Sequence, residues 1–149
     1  MSENLKLARL YLLILAIVTV GRWALGFRGV PYERGTSVFS IVIMTLFASI
    51  FYAAFTRRWL DYRVLQAVGL TVSLGLVSQL VILLSTAASY ALGIDSYFNH
   101  PVALNQPGPV GFGEAMAIRG GGLVVNTILN GIAGALGWAM GAALPQSPR

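Results

Sequence analysis

Residues 64–94 read VLQAVGLTVSLGLVSQLVILLSTAASYALGI, thirty-one positions without one Asp, Glu, Lys or Arg. As a helix at 1.5 Å per residue the run is about 46 Å long. A bilayer's hydrocarbon core is roughly 30 Å thick. Such a helix crosses with tilt, or lays one end in the interface. Working outward, residues 5–25, 35–56 and 120–144 form three more apolar runs. Each approaches or exceeds the roughly 20 residues that a spanning helix needs. The chain is therefore read as an all-α integral membrane protein. It forms a four-transmembrane-helix bundle in a single domain, residues 1–149, with spans at about 5–25, 35–56, 65–92 and 120–143. One structured extramembrane loop, residues 95–118, joins the last two.

Composition supports the same class. The chain is 56% hydrophobic and 10% charged, where a soluble domain is about 25% charged. Mean hydropathy is +0.74. The net charge of +5 is spread over loops and ends. It forms no basic stripe of the kind that tracks nucleic acid. There is no cysteine, which excludes disulfides, thiol catalysis and Cys-ligated metal sites. The single histidine, His100, excludes a bis-histidine haem within one chain. His100, Asp95 and Glu114 are too sparse for a metal motif. No metal and no cofactor is expected.

Lys6 and Arg9 ahead of an apolar stretch imitate a signal peptide. That stretch runs into Arg22-Trp23 with no small-residue cleavage pattern, so it is read as an uncleaved first span. Gly29 and Pro31 break the chain after it. Thr36-Ser37 are candidate caps for the second span, which ends at the basic and aromatic Arg57-Arg58-Trp59. The short connection to Arg63 makes the second and third spans antiparallel neighbours. With the N-terminus inside, Lys6, Arg9, Arg57, Arg58, Arg63 and Arg149 face one side, against Arg22, Arg28, Arg34 and Arg119. Six against four favours an N-in/C-in orientation by a small margin. The expected location is a prokaryotic plasma (inner) membrane.

Two polar and small-residue stripes stand out. In the fourth span Asn126, Asn130, Gly134, Gly137 and Gly141 recur at helical spacing along one face. Gly137 and Gly141 form a GxxxG pair, which lets helix backbones approach closely. In the third span Thr71, Gly75, Ser78, Ile82, Ser85 and Ser89 follow the alternating four–three spacing of packed helices. The two stripes are expected to pack face to face, with Gln79 meeting Asn126 or Asn130. Self-association through the fourth span is a related expectation. The functional reading of the same residues is a polar cavity for a ligand or ion.

Arg22 and Arg119 are the charges closest to the apolar runs. They read as interfacial anchors, or as sites for an anionic lipid headgroup or a partner, with Glu33 and Glu114 as available counter-ions. Arg119 followed by three glycines reads as the start of the fourth helix, where free N–H groups suit an anion. Tyr97, Phe98 and Phe112 in the third loop read as lipid-interface or docking aromatics.

No span carries an ionisable residue at its middle, which argues against proton-coupled transport. Named hydrolase and metalloprotease motifs are missing, and the chain is read as non-enzymatic. The leading expectation is a small accessory or structural subunit of a larger membrane complex, contacting lipid and other membrane chains or itself. One alternative is a small oligomeric channel or transporter using Asn126, Asn130 and Gln79. Another is a lipid- or quinone-binding module using Arg22, Arg119 and the loop aromatics.

Overall fold

The structure, a computed structural model, describes residues 6–35 and 40–145. The described chain is helical, without a strand. Its elements are α1 (Arg9–Phe27), α2 (Tyr32–Gly35), α3 (Ile41–Leu60), α4 (Val64–Ala91), a 3-10 turn (Pro101–Leu104) and α5 (Phe112–Gly141). Among them α1, α3, α4 and α5 are long and apolar enough to cross a membrane.

Local chemistry sets the ends. The Ser40 side chain caps α3 by accepting from the Ile43 N–H at 3.4 Å, so this helix begins later than residue 35. The caps anticipated at Thr36-Ser37, like both chain tails, lie outside the described residues. Asp61 closes α3 in the left-handed region at φ 52°, and the Tyr62 N–H returns to the Thr56 carbonyl at 3.1 Å. That reversal leads straight into α4, where the Gln66 side chain accepts from the Arg63 N–H at 2.8 Å. Gly93, at φ 61°, ends α4 and lets the Ile94 N–H reach the Ser89 carbonyl at 2.9 Å.

The largest departure from the sequence reading is α5. It starts at Phe112, capped by Gly111 in extended conformation, rather than at Gly120. Residues 112–119, which include the Glu-Ala-Met-Ala-Ile segment, form about two helical turns ahead of the glycines. Gly120–Gly122 then lie inside the helix. A Cβ would meet nothing at Gly120 and Gly121, so these glycines are not demanded by packing. The loop shrinks accordingly to residues 92–111.

α5 packs against both α3 and α4, and these three helices form the core. Its small-residue stripe is divided between two partners. Gly75 faces Asn130, and Gly134 faces Thr71, across the α4–α5 seam. Gly137 faces the backbone of Ile50, and Gly141 that of Ala54, across the α3–α5 seam. The expectation of one face-to-face α4–α5 stripe is therefore corrected: the GxxxG pair is used within the chain, against α3. The α4 stripe is also shifted at one end. Thr86 is buried where Ser85 was expected to be, and Ser85 is only half-buried.

The interior is lined by small polar side chains. Thr45, Ser49, Thr56, Thr71, Ser78, Thr86 and Ser89 are all fully buried. Most return their hydroxyl to a carbonyl three or four residues earlier, as Thr45 does to Ile41 at 2.6 Å and Ser78 to Gly75 at 2.8 Å. Large apolar side chains such as Phe47, Leu65, Leu84 and Val20 point outward. α1 is attached more lightly, burying only Tyr11, Leu15 and Arg22. The Tyr11 hydroxyl bonds Thr45 Oγ1 at 3.0 Å.

Candidate functional site

The buried amides come first. Asn130 is 1% exposed and lies where α3, α4 and α5 meet. Its Oδ1 accepts from the Ser49 hydroxyl on α3 at 2.7 Å, and its Nδ2 donates to the Asn126 carbonyl at 2.8 Å. A Cβ built on Gly75 would sit 2.8 Å from the Asn130 Cβ, so the two helices are in contact through this pair. Asn126 turns its amide back on its own helix, to the Gly122 carbonyl at 2.8 Å. Gln79 is buried, and its Nε2 has no hydrogen-bond partner among the described residues. The expected pairing of Gln79 with Asn126 or Asn130 is thus corrected. Both asparagines direct their amide nitrogens to carbonyls of α5, and Ser49, which the sequence reading did not single out, supplies the link across helices. Ser78 spends its hydroxyl on Gly75.

The second cluster is built at the end of the bundle where α1 finishes and α5 begins. Asn99 organises the loop there. Its Oδ1 accepts from the Ser96 N–H at 2.8 Å and its Nδ2 donates to the Ile94 carbonyl at 3.0 Å. Short Asn and Ser side chains commonly fold a loop in this way. Ser96 is tied to Ser89 of α4, oxygen to oxygen, at 2.7 Å. The loop is thereby pulled down over the helices, and Tyr97 and Phe98 become 2% and 1% exposed. Their reading as docking aromatics is corrected: both rings are interior. Phe112 does remain exposed, edge-on to Tyr90 with centroids 5.8 Å apart.

Two arginines reach this loop from different helices. The Arg22 Nη2 donates to the Tyr97 carbonyl at 3.2 Å. Its guanidinium lies 5.3 Å from the Phe98 ring centre and 5.7 Å from those of Tyr32 and Tyr97. Arg119 donates to the next carbonyl, that of Phe98, at 2.6 Å, to the Ala103 carbonyl at 3.2 Å and to Thr86 Oγ1 at 3.1 Å. Arg119 lies two turns inside α5, so its reading as a helix start with free N–H groups is overturned. Glu114, the anticipated counter-ion on the same helix, is exposed in the first turn. All the partners of Arg119 among the described residues are neutral.

Arg22 and Arg119 line one cavity of about 110 Å³ together with Tyr32, Ser40, Phe98 and Ala103. Nearby, His100 stacks on Tyr32 with centroids 4.9 Å apart and accepts from the Val102 N–H through Nδ1 at 3.3 Å. The Tyr97 hydroxyl donates to the carbonyls of Val30 and Pro31 at 2.9 and 3.0 Å. Burial pushes this phenol above its ordinary value, against the opposing charge of Arg22. No cluster of three or more His, Cys, Asp or Glu side chains suited to a metal occurs among the described residues.

The sequence had no way to single out Thr86, Tyr32 and Ser40 for this site. Each is an ordinary residue of its segment, and only the fold brings them to the arginines. No known protein family, curated protein or solved structure matches this chain.

Proposed function

We propose that the four long helices cross a bilayer, and that the chain is a non-catalytic accessory or structural subunit of a larger membrane complex. The membrane reading rests on the distribution of side chains. Fully buried hydroxyls and small residues share the interior with a few large apolar side chains such as Leu70, Leu74 and Ile82, while many more Phe, Leu, Ile and Val side chains cover the outside. In water that arrangement would expose far more contiguous apolar surface than a soluble monomer carries. In lipid it is favourable, because helix association there depends on close contact and hydrogen bonds between small faces. The weak charge bias supports N-in/C-in, which places the arginine cluster on the outer side.

The observation that carries the structural role is Asn130. A channel built on the amides would expose them to a water path. Here Asn130 is sealed at the three-helix junction, held by Ser49 and in contact with Gly75. The lightly attached α1, apolar on its outer side at Leu10, Leu13, Ile17 and Val20, supplies a helix face for a neighbouring chain. Native mass spectrometry of protein extracted in mild detergent from its own membrane tests this. Stoichiometric association with larger chains is expected. A lone monomer or a homo-oligomer would refute it and favour the channel or lipid-binding alternatives.

A further inference from the structure

We propose that the seam between α1 and α3 holds one anionic phospholipid, with an acyl chain in the groove between the helices and the headgroup at Lys6. The proposal rests on the reading that the helices cross a bilayer, and is independent of the accessory-subunit role. The site lies at the opposite end of the bundle from Arg22 and Arg119.

The groove is apolar on both walls. Leu10 and Ile14 of α1 stand across from Met44, Phe47, Ala48 and Phe51 of α3, around a cavity of about 280 Å³. Tyr11 also lines it, but its hydroxyl is turned to Thr45 at 3.0 Å, so its polar end is spent in the core. Leu10, Phe47 and Phe51 are exposed along the outer rim. In a bilayer that rim meets acyl chains.

Nearer the start of α1 the seam leads to a second cavity of about 460 Å³, lined by Lys6, Leu7, Leu60 and Tyr62. Leu7, Tyr11 and Ile14 follow at steps of four and three, and Tyr52, Ala48 and Met44 at steps of four. Each set therefore occupies one face of its helix, and the two cavities succeed each other along one seam. From Lys6 to Ile14 is about 12 Å of helix. One leaflet of a roughly 30 Å hydrocarbon core is about 15 Å deep. An acyl chain entering beside Lys6 thus runs along the groove for most of a leaflet.

Charge selects the headgroup. The end of the bundle that carries Lys6 also carries Arg9 at the start of α1, Arg57 and Arg58 in the last turn of α3, and Arg63 ahead of α4. Against them stands one carboxylate among the described residues, Asp61. Arg57 and Arg58 donate to the carbonyls of Trp138, Ala139 and Pro145, which fix their positions without removing the excess positive charge. Basic side chains at a membrane surface attract anionic lipids. Lys6 is exposed, and a lysine stem lies along apolar surface while its ammonium stays at the headgroup level. The rings of Phe51, Phe55 and Trp59, with centroids 6.0 and 5.1 Å apart, connect the groove to that level, where tryptophan favours the membrane interface. A zwitterionic headgroup gains no net attraction from this excess charge, and an anionic one does. In the N-in orientation proposed above, this end meets the cytoplasmic leaflet, whose surface potential is negative.

Native mass spectrometry of the full chain in a neutral detergent tests the site, with titrations of phosphatidylglycerol and of phosphatidylcholine carrying the same acyl chains. One phosphatidylglycerol per chain is expected, retained at least about fivefold over phosphatidylcholine, the effect of one basic side chain at an anionic surface. Lys6→Gln is expected to cut that preference about fivefold. Ala48→Leu adds bulk inside the groove and is expected to lower retention of both lipids. Because Lys6 is exposed, Lys6→Gln decides the matter even where Ala48→Leu does not fold. Equal retention of the two lipids by the parent overturns the proposal, as does an unchanged preference in Lys6→Gln or full retention in folded Ala48→Leu protein. A second protein chain held by the parent in place of lipid, and lost in Ala48→Leu, also overturns it. Alkaline carbonate extraction of the source membranes tests the bilayer reading separately. Release of the chain refutes that reading and the site with it; a chain that stays in the membrane and shows no lipid preference refutes the site alone.

Discussion

Replacing Gly137 by alanine adds one methyl group and tests the closest approach of a glycine to a neighbouring helix's backbone. The new Cβ would lie 2.7 Å from the Ile50 Cα and 2.9 Å from its carbonyl carbon, and would press on the carbonyl oxygen as well. Ordinary carbon contacts are about 3.5–4.0 Å, so α3 and α5 must part by about 1 Å. The obstructing atoms are backbone, which no rotamer change can move. Overpacking of this kind costs about 1–3 kcal/mol. Alanine returns at most about 1 kcal/mol through its better helix propensity. The net expectation is a loss of about 1–2 kcal/mol. Gly121→Ala is the matched control, since its Cβ meets nothing within 4 Å, and it should gain up to about 1 kcal/mol. The propensity gain is common to both, so the two variants differ by the overpacking cost, about 1–3 kcal/mol. At about 2–4 °C per kcal/mol for a chain of this size, that is a Tm separation of roughly 2–12 °C. Thermal unfolding in mild detergent, followed by the near-UV signal of the adjacent Trp138, reads this directly. If Gly137→Ala unfolds at or above the temperature of Gly121→Ala, the two backbones are not in contact there and the α3–α5 seam is wrongly placed.

Three further expectations follow from contacts already described. A Ser49→Ala, Asn130→Ala double-mutant cycle should give a coupling of about 0.6 and at most about 1.7 kcal/mol; zero coupling would remove the hydrogen bond between α3 and α5. Arg57 lies 3.8 Å from the Trp138 ring centre and donates to the Trp138 carbonyl at 2.8 Å. Arg57→Lys keeps the charge and loses the planar stack, so a loss of about 0.5–1 kcal/mol is expected in thermal unfolding, and an unchanged Tm would show that the stack contributes nothing. The Tyr97 phenol is raised by burial; its contribution is complete below the unfolded value near 10 and is lost as pH rises through the folded value. Tyr97→Phe should therefore be less stable at neutral pH by about 1 kcal/mol and should lose less on going above pH 10, which a series of unfolding curves against pH can check.

The four long helices were legible because each is an apolar run of near-spanning length, a signal that needs no tertiary information. The small-residue stripes were legible for a similar reason: spacing of three and four assigns Gly134, Gly137 and Gly141 to one face. Which neighbour that face meets was not. Only packing shows that Gly134 meets Thr71 while Gly137 meets Ile50. The start of α5 was misread because Arg119 and three glycines are strong local stop signals. They lost to a long-range effect, since Arg119 is held by the Phe98 and Ala103 carbonyls of a folded loop. The same loop hid Tyr97 and Phe98. An aromatic pair in a proline-rich segment reads as exposed until Asn99 and Ser96 turn the chain inward.

The pairs Thr71–Gly134, Gly75–Asn130 and Thr86–Arg119 tie α4 and α5 together in one register, each residue number rising on α4 as its partner falls on α5. Chain-length changes should therefore be tolerated very unevenly. An extra residue at the Gln106–Gly108 bend, where Pro107 is exposed, lies outside the paired segment and leaves all three pairs intact. A single deletion between Arg119 and Asn130 would turn one half of α5 by about 100° and draw it in by about 1.5 Å relative to the other. The glycines and Asn130 would then leave their partners together, or Arg119 would leave the loop. Insertions and deletions in descendants of this chain should accumulate in the turns and be purged from that stretch of helix.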